Sequence, residues 1–143
     1  MTQSQDIDIL ARTIFGEARG EYKRPDGGIA ALIAVANVVM NRLKQGGWFG
    51  SSIVDVCLKP WQFSCWNKND PNLLLIKEVT MNNPIFKLCY DIAQGVLCQR
   101  WPDLTEGCDH YFSTSLVESP SWSVGKKPKL RVGRHLFYQL GGK

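Results

Sequence analysis

A chain of 143 residues, 44% hydrophobic and 21% charged, is long enough to close one core and short for two ordinary domains. Without repeats or low-complexity runs, it does not read as two domains or an array. Its apolar run IAALIAVANVVM contains Asn37 and runs into Asn41 and Arg42, so it is too short and too polar to span a bilayer. We therefore expect one globular domain over 1–143.

The N-terminal stretch MTQSQDIDIL has neither a basic cluster nor an apolar signal core, so it does not read as a secretory peptide. Five cysteines, at 57, 65, 89, 98 and 108, are an odd number. Together these features predict reduced thiols made in a cytoplasm rather than a disulfide framework.

The first predicted helix starts near Ser4 or Asp6 and ends near Gly20. Its Ile7, Leu10, Ala11, Ile14 and Ala18 follow helical spacing. Glu17 falls beside Leu10, at the border of that apolar stripe, in the expected last turn. The negative end of the helix dipole and partial burial both disfavour an ionised carboxylate there, as a general acid requires. Arg19 offsets this if it folds back. The bland alternative is a solvated glutamate.

A second, central helix is predicted from Gly28 to Gln45, with Ile29, Leu32, Ile33, Ala36, Val39, Met40 and Leu43 on one face. Arg42 and Lys44 suit its C-terminal dipole. SSIVDVCL reads as a short serine-capped helix stopped by Pro60. The loop PWQFSCWNKNDP is rich in aromatics and amides. DPNLLLIKEVTM and NPIFKLCYDIAQGVLCQ follow as helices with an Asp or Asn cap and proline at the first position. Beyond Trp101, DHYFSTSLV and LRVGRHLFYQL read as paired extended segments. The expected fold is mainly α, with a small β element near the C-terminus.

Four chemistries compete. Glycan cleavage needs a protonated carboxyl beside a groove of aromatic faces and amides. Glu17 with Trp61, Gln62, Phe63, Ser64, Trp66, His110 and Tyr111 supplies those types. Asp26, nine residues on, is a candidate second carboxylate, although PDGG also reads as an ordinary Asp-Gly turn. Glu21 is another. A metal site from Cys57, Cys65, Cys108 and His110 lacks CxxC or HExxH spacing, so no metal or cofactor is expected. Cys65 with His110 or His135 would make a cysteine amidase or peptidase, but WNKND after Cys65 does not read as an activating helix. The basic end, Lys126, Lys127, Lys129, Arg131, Arg134 and Lys143, suits polyanions, yet no nucleic-acid recognition motif accompanies it.

ARTIFGEARGE, AVANVVMNRL, IVDVCLKPWQFSCW, GCDHYF and VGRHLFY occur in that order. Together they resemble the cell wall hydrolase family of the spore cortex-lytic type, which includes germination enzymes and bacteriophage endolysins. The resemblance implies an α+β, lysozyme-like fold. It also implies cleavage of peptidoglycan between N-acetylmuramic acid and N-acetylglucosamine, as a muramidase or a lytic transglycosylase. Glu17 matches the family's catalytic glutamate. Gln62, Phe63 and Ser64 match its cleft-lining loop, and His110 and Tyr111 its late HY element. The connection from Tyr22 to Gly28 is longer than the family's usual turn and carries Asp26. The expectation is a monomeric phage endolysin, held in the host cytoplasm until it is released to the wall, with peptidoglycan as its partner and no specific nucleic acid.

Overall fold

A computed structural model describes residues 3–141. Helix α1 spans Gln3–Tyr22 and α2 spans Ile29–Gln45. Short helices α3 (Ile53–Leu58) and α4 (Leu73–Glu78) precede the longer α5 (Pro84–Leu97). Strands β1 (His110–Ser113), β2 (Leu130–Val132) and β3 (His135–Tyr138) form an antiparallel sheet in the order β1-β3-β2.

The apolar stripe of α1 is buried as its spacing predicts, and Phe15 widens it by packing edge-on against Phe86 of α5, with centroids 5.9 Å apart. One boundary differs from expectation. Gly20 does not end α1, which continues to Tyr22 because Glu21 is buried and pulls the last turn inward. The negative end of the helix thus lies past Glu17, and the dipole fades beyond the last turn.

Helix α2 is central, as expected, and buries two faces. Leu32, Val35, Ala36 and Val39 join the main core with α1 and α5, whereas Ala31, Ala34 and Val38 pack on Val132 and Phe137 of the sheet. Ile29, expected on the buried face, is 49% exposed because it opens the helix beyond the core. Ser52 caps α3 by accepting from the Asp55 N–H at 3.0 Å. Asn83 caps α5 by accepting from Ile85 and Phe86, and Pro84 takes the first position. Helix α4 begins later than its Asp-Pro signal suggests. The Asp70 side chain takes the Asn72 N–H at 2.8 Å, which holds a turn ahead of the helix.

A polar network fastens the sheet to α2. Asn41 donates to Asp103 (2.8 Å) and to the Cys108 carbonyl (2.9 Å). Arg42 donates to the Asp109 carbonyl (2.8 Å), and Gln45 to the Asp109 carboxylate (2.8 Å). Burial would raise the Asp109 carboxyl, but hydrogen bonds from Gln45, His110, Leu140 and Gly141 outweigh it and hold the group below its usual value. This anchor fixes where β1 starts, and with it Tyr111.

Candidate active site

Glu17 sits on the wall of a cleft of about 490 Å³. Its Oε1 accepts a hydrogen bond from the Tyr111 hydroxyl. Its Oε2 accepts from the Cys65 N–H at 3.2 Å. Three distant segments therefore meet at one carboxyl: α1, the turn containing Cys65, and β1.

The close approach depends on Gly16. A Cβ at that position would lie 2.8 Å from both Cβ and Sγ of Cys65 and 3.0 Å from Ile76. Any side chain there would push the Cys65 turn away and lengthen the hydrogen bond from its N–H to Glu17. A glycine inside a helix costs about 1 kcal/mol relative to alanine. Here it gives the backbone room to reach the carboxyl.

Arg42 lies on the cleft wall but is 5% exposed. It is no solvated helix-end charge, as its position in α2 suggests. Its guanidinium packs over Phe49 and Phe63 at 5.1 and 5.0 Å and bonds Gln62 at 3.4 Å. Burial lowers its proton affinity, while Tyr111, Asp109 and Glu17 pull the other way. Tyr111 is pushed well above its usual value, first by burial and then by Glu17, so its hydroxyl keeps its proton and acts as donor.

The sequence-predicted residues divide as follows. Gln62, Ser64 and Tyr111 line the cleft with Glu17. Phe63 does not; it is 1% exposed and supports Arg42 from beneath. His110 is not among the lining residues either. It bonds Asp109 at 2.9 Å and packs at 4.8 Å on Trp122, which does line the cleft. Asp26 is on the surface, paired with Arg24 at 2.9 Å, and its carbonyl accepts from the Gly133 N–H. The Arg24 hydrogen bond holds its carboxyl below the usual range. The structure gives Asp26 the turn role and keeps it out of the cleft.

Glu21 is also accounted for structurally. It is buried and clamped by Arg134 at 2.7 Å. Arg19 does not fold back on Glu17. It bonds the Phe15 carbonyl and Asn72 and lies over the Phe15 ring. The other carboxylate on the cleft wall is Asp70, in the aromatic loop, joined there by Asn72, Trp61 and Trp122. His135 also lines the cleft. It is buried, its Nδ1 has no partner, and burial lowers its proton affinity. Residue type alone gave no sign of Arg42 or Asp70, because both roles arise from tertiary placement.

The cysteine alternative meets an obstacle. Cys65 is buried, and desolvation, followed by the charge of Glu17, pushes its thiol far up, which disfavours the thiolate a peptidase needs. Among the described residues, no group of three or more His, Cys, Asp or Glu side chains could hold a metal ion. The basic end is partly structural. Arg134 holds Glu21, Arg131 the Gly133 carbonyl, and Lys129 the Glu106 carbonyl and Gln139. Lys126 and Lys127 are exposed, and Lys143 lies outside the described residues.

Comparison with known proteins places this arrangement. The chain is 30% identical to the spore cortex-lytic enzyme of Bacillus subtilis over 134 residues, covering 94% of this chain and 37% of that protein. It is 26% identical to the spore cortex-lytic enzyme of Halalkalibacterium halodurans, covering 92% of this chain and 34% of the relative. The chain thus spans little more than a third of these relatives. Its fold matches the catalytic domain of the Bacillus cereus SleB protein with a TM-score of 0.65 at 25% identity, over 96% of this chain and 91% of that one. It also matches the catalytic domain of the germination-specific lytic transglycosylase SleB from Bacillus anthracis, with a TM-score of 0.63 at 25% identity, over 96% and 95%. The mainly helical, lysozyme-like expectation with a small late sheet therefore holds. The Cell Wall Hydrolase family model matches residues 28–138, a span that holds Arg42, Gln62, Asp70 and Tyr111 and begins after Glu17. Because that match takes in most of the chain, the protein belongs to the cell wall hydrolase family.

Proposed function

We propose that the protein cleaves the glycan strand of peptidoglycan between N-acetylmuramic acid and N-acetylglucosamine, with Glu17 as the acid. One observation carries the reading: a carboxyl on the wall of an aromatic and amide-lined cleft, oriented through both oxygens by neutral donors, Tyr111 O–H and Cys65 N–H. Family membership and the relatives' cortex-lytic and transglycosylase activities support it.

In this mechanism Glu17 gives a proton to the glycosidic oxygen as the C1–O bond breaks and the sugar gains oxocarbenium character. With Asp26 outside the cleft, the favoured second half uses Glu17 again. The muramic C6 hydroxyl attacks C1 and returns its proton to the Glu17 carboxylate, closing a 1,6-anhydro ring. No water is consumed, and the acid is restored. Asp70 on the same wall favours a second reading, in which it positions a water and the product is a reducing sugar.

Mass spectra of muropeptides from digested sacculi test both. Anhydro products, lighter by one water, support the first route, and reducing ends support the second. Free amino groups released from stem peptides with intact glycan would overturn the glycosidase reading. The same reading extends to a biological role as a phage lysin that reaches the wall from the host cytoplasm. Turbidity loss in membrane-permeabilised cells, absent from cells with sealed membranes, checks that role.

A further inference from the structure

Beside the Glu17 cleft lies a larger hollow of about 740 Å³, walled by residues 58–61 and 66–71. Trp61 and Asp70 line both, so the two hollows share one indole and one carboxylate. Both volumes suit a ligand of several rings.

Trp61 is unusual on two counts. It is 81% exposed, and its φ is +68°. Left-handed backbone at a bulky residue costs on the order of 1–3 kcal/mol and clusters at ligand clamps and active sites. An exposed indole also leaves its burial energy unused. Across the hollow, Trp66 is held rigid by its Nε1–H bond to Thr13 at 2.9 Å. Asn67 and Asn69 add amides, and Lys59 and Lys68 add cations. Indole faces suit the C–H faces of sugar rings, amides suit hydroxyl and acetamido groups, and ammonium groups suit carboxylates.

We propose that the two hollows form one binding track. The second hollow holds the N-acetylated hexosamines that continue the strand past the scissile bond, and Lys68 is placed to meet stem-peptide carboxylates, since the muramic carboxyl is itself amide-bonded to the stem. Trp61 is the platform where the strand crosses between them. This rests on the glycan-cleavage reading above.

Trp61→Gly separates a binding role from a structural one, because glycine adopts this φ without strain. Its urea midpoint should equal or exceed that of the parent protein. Its kcat/KM on strands of six or more sugars should fall roughly tenfold, the worth of one aromatic contact. On tetrasaccharides the loss should be smaller, and Trp61→Phe should recover most of it. Binding of an N-acetylglucosamine hexamer to Glu17→Gln, read by tryptophan fluorescence, should weaken to a similar degree when Trp61→Gly is added. A long-to-short rate ratio equal to the parent's, or a lowered urea midpoint with unchanged hexamer binding, overturns the track alone. If the parent protein releases no glycan fragments from sacculi, the cleavage reading fails and the track falls with it.

Discussion

Glu17 and Glu21 stand one turn apart on α1, yet their surroundings give them opposite chemistry. Glu21 is buried and held by a cation. Arg134 reaches it through its guanidinium and its backbone N–H, both at 2.7 Å. Burial alone would raise Glu21, but the Arg134 hydrogen bonds outweigh it and hold the carboxyl below its usual value. Among the described residues Glu17 forms no ion pair within 4.0 Å, and its partners are neutral donors. A cation fixes the charge of a carboxylate, whereas neutral donors orient it and leave proton transfer to the substrate. What distinguishes the two is not the helix but what later parts of the chain bring to it. The Gly133–Arg134 turn meets one glutamate, and Tyr111 with the Cys65 turn meets the other.

The sharpest break in the comparison is Glu17→Gln. It should cost about 10²–10⁴-fold in glycan cleavage, the range for a lost general acid. Thermal stability should stay near the parent's, since the amide oxygen still accepts a hydrogen bond. Substantial lysis by this variant would remove Glu17 from the mechanism. Next comes Tyr111→Phe, which leaves the carboxyl half-anchored. Activity should drop roughly 10- to 100-fold through misplacement, with little change in KM. Gly16→Ala should act in the same direction by displacing the Cys65 turn, but it should also lower the melting temperature, because the added methyl overlaps Cys65.

Glu21→Ala should invert the pattern. Stability should fall by about 1–3 kcal/mol, as expected for lost charge-assisted hydrogen bonds at a buried site. Arg134 is partly exposed and can turn to water, which keeps the loss from being larger. The folded fraction should cleave at close to the parent rate in an assay below the melting transition. A large loss of turnover with intact stability would mean that Glu21, not its neighbour, is the catalytic group.

The helical frame was legible because its signals are local. The stripe on α1, the Ser52 and Asn83 caps and the glycines flanking α2 each act within one or two turns. Glu17 was legible for a related reason, since its place at the stripe's edge put it between core and solvent. The rest of the site depends on long-range pairing. Phe63 and His110 were expected in the cleft, but a side chain's facing depends on which side of a turn or strand meets the core. The Asp26 sequence had already offered a turn, and the Arg24 pair and the Gly133 contact confirm that it is one. Arg42 reads from sequence as a helix-end charge, and it is the return of Phe49, Phe63 and the Asp109 carbonyl against α2 that covers it. Gly16 carried the overlooked signal, since a glycine inside a strong helical pattern asks what must approach so closely.

The smallest expected effect, on stability against pH, tests the Glu21 side most directly. His135 sits below its ordinary 6.5 because burial penalises the imidazolium; Arg134 adds to this and Glu21 opposes it. Between its folded value and 6.5 the unfolded chain binds more protons, so stability is full above 6.5 and declines as pH falls below it. Glu21 follows the depressed-carboxylate rule. Its contribution is complete above the unfolded value, near 4.5, and is lost as pH falls through its lower folded value. Urea midpoints across this range should therefore fall in two steps, one starting below 6.5 and another below 4.5. Glu21→Gln should shrink the lower step without abolishing it, because Asp26 and Asp109 are also held below their usual values. It should also extend the upper step to lower pH, because His135 loses the carboxylate that favours its charged form. A Glu21→Gln profile parallel to the parent's would show that the Arg134 clamp does not set the charge of this carboxyl, and the contrast between the two glutamates would then need another cause.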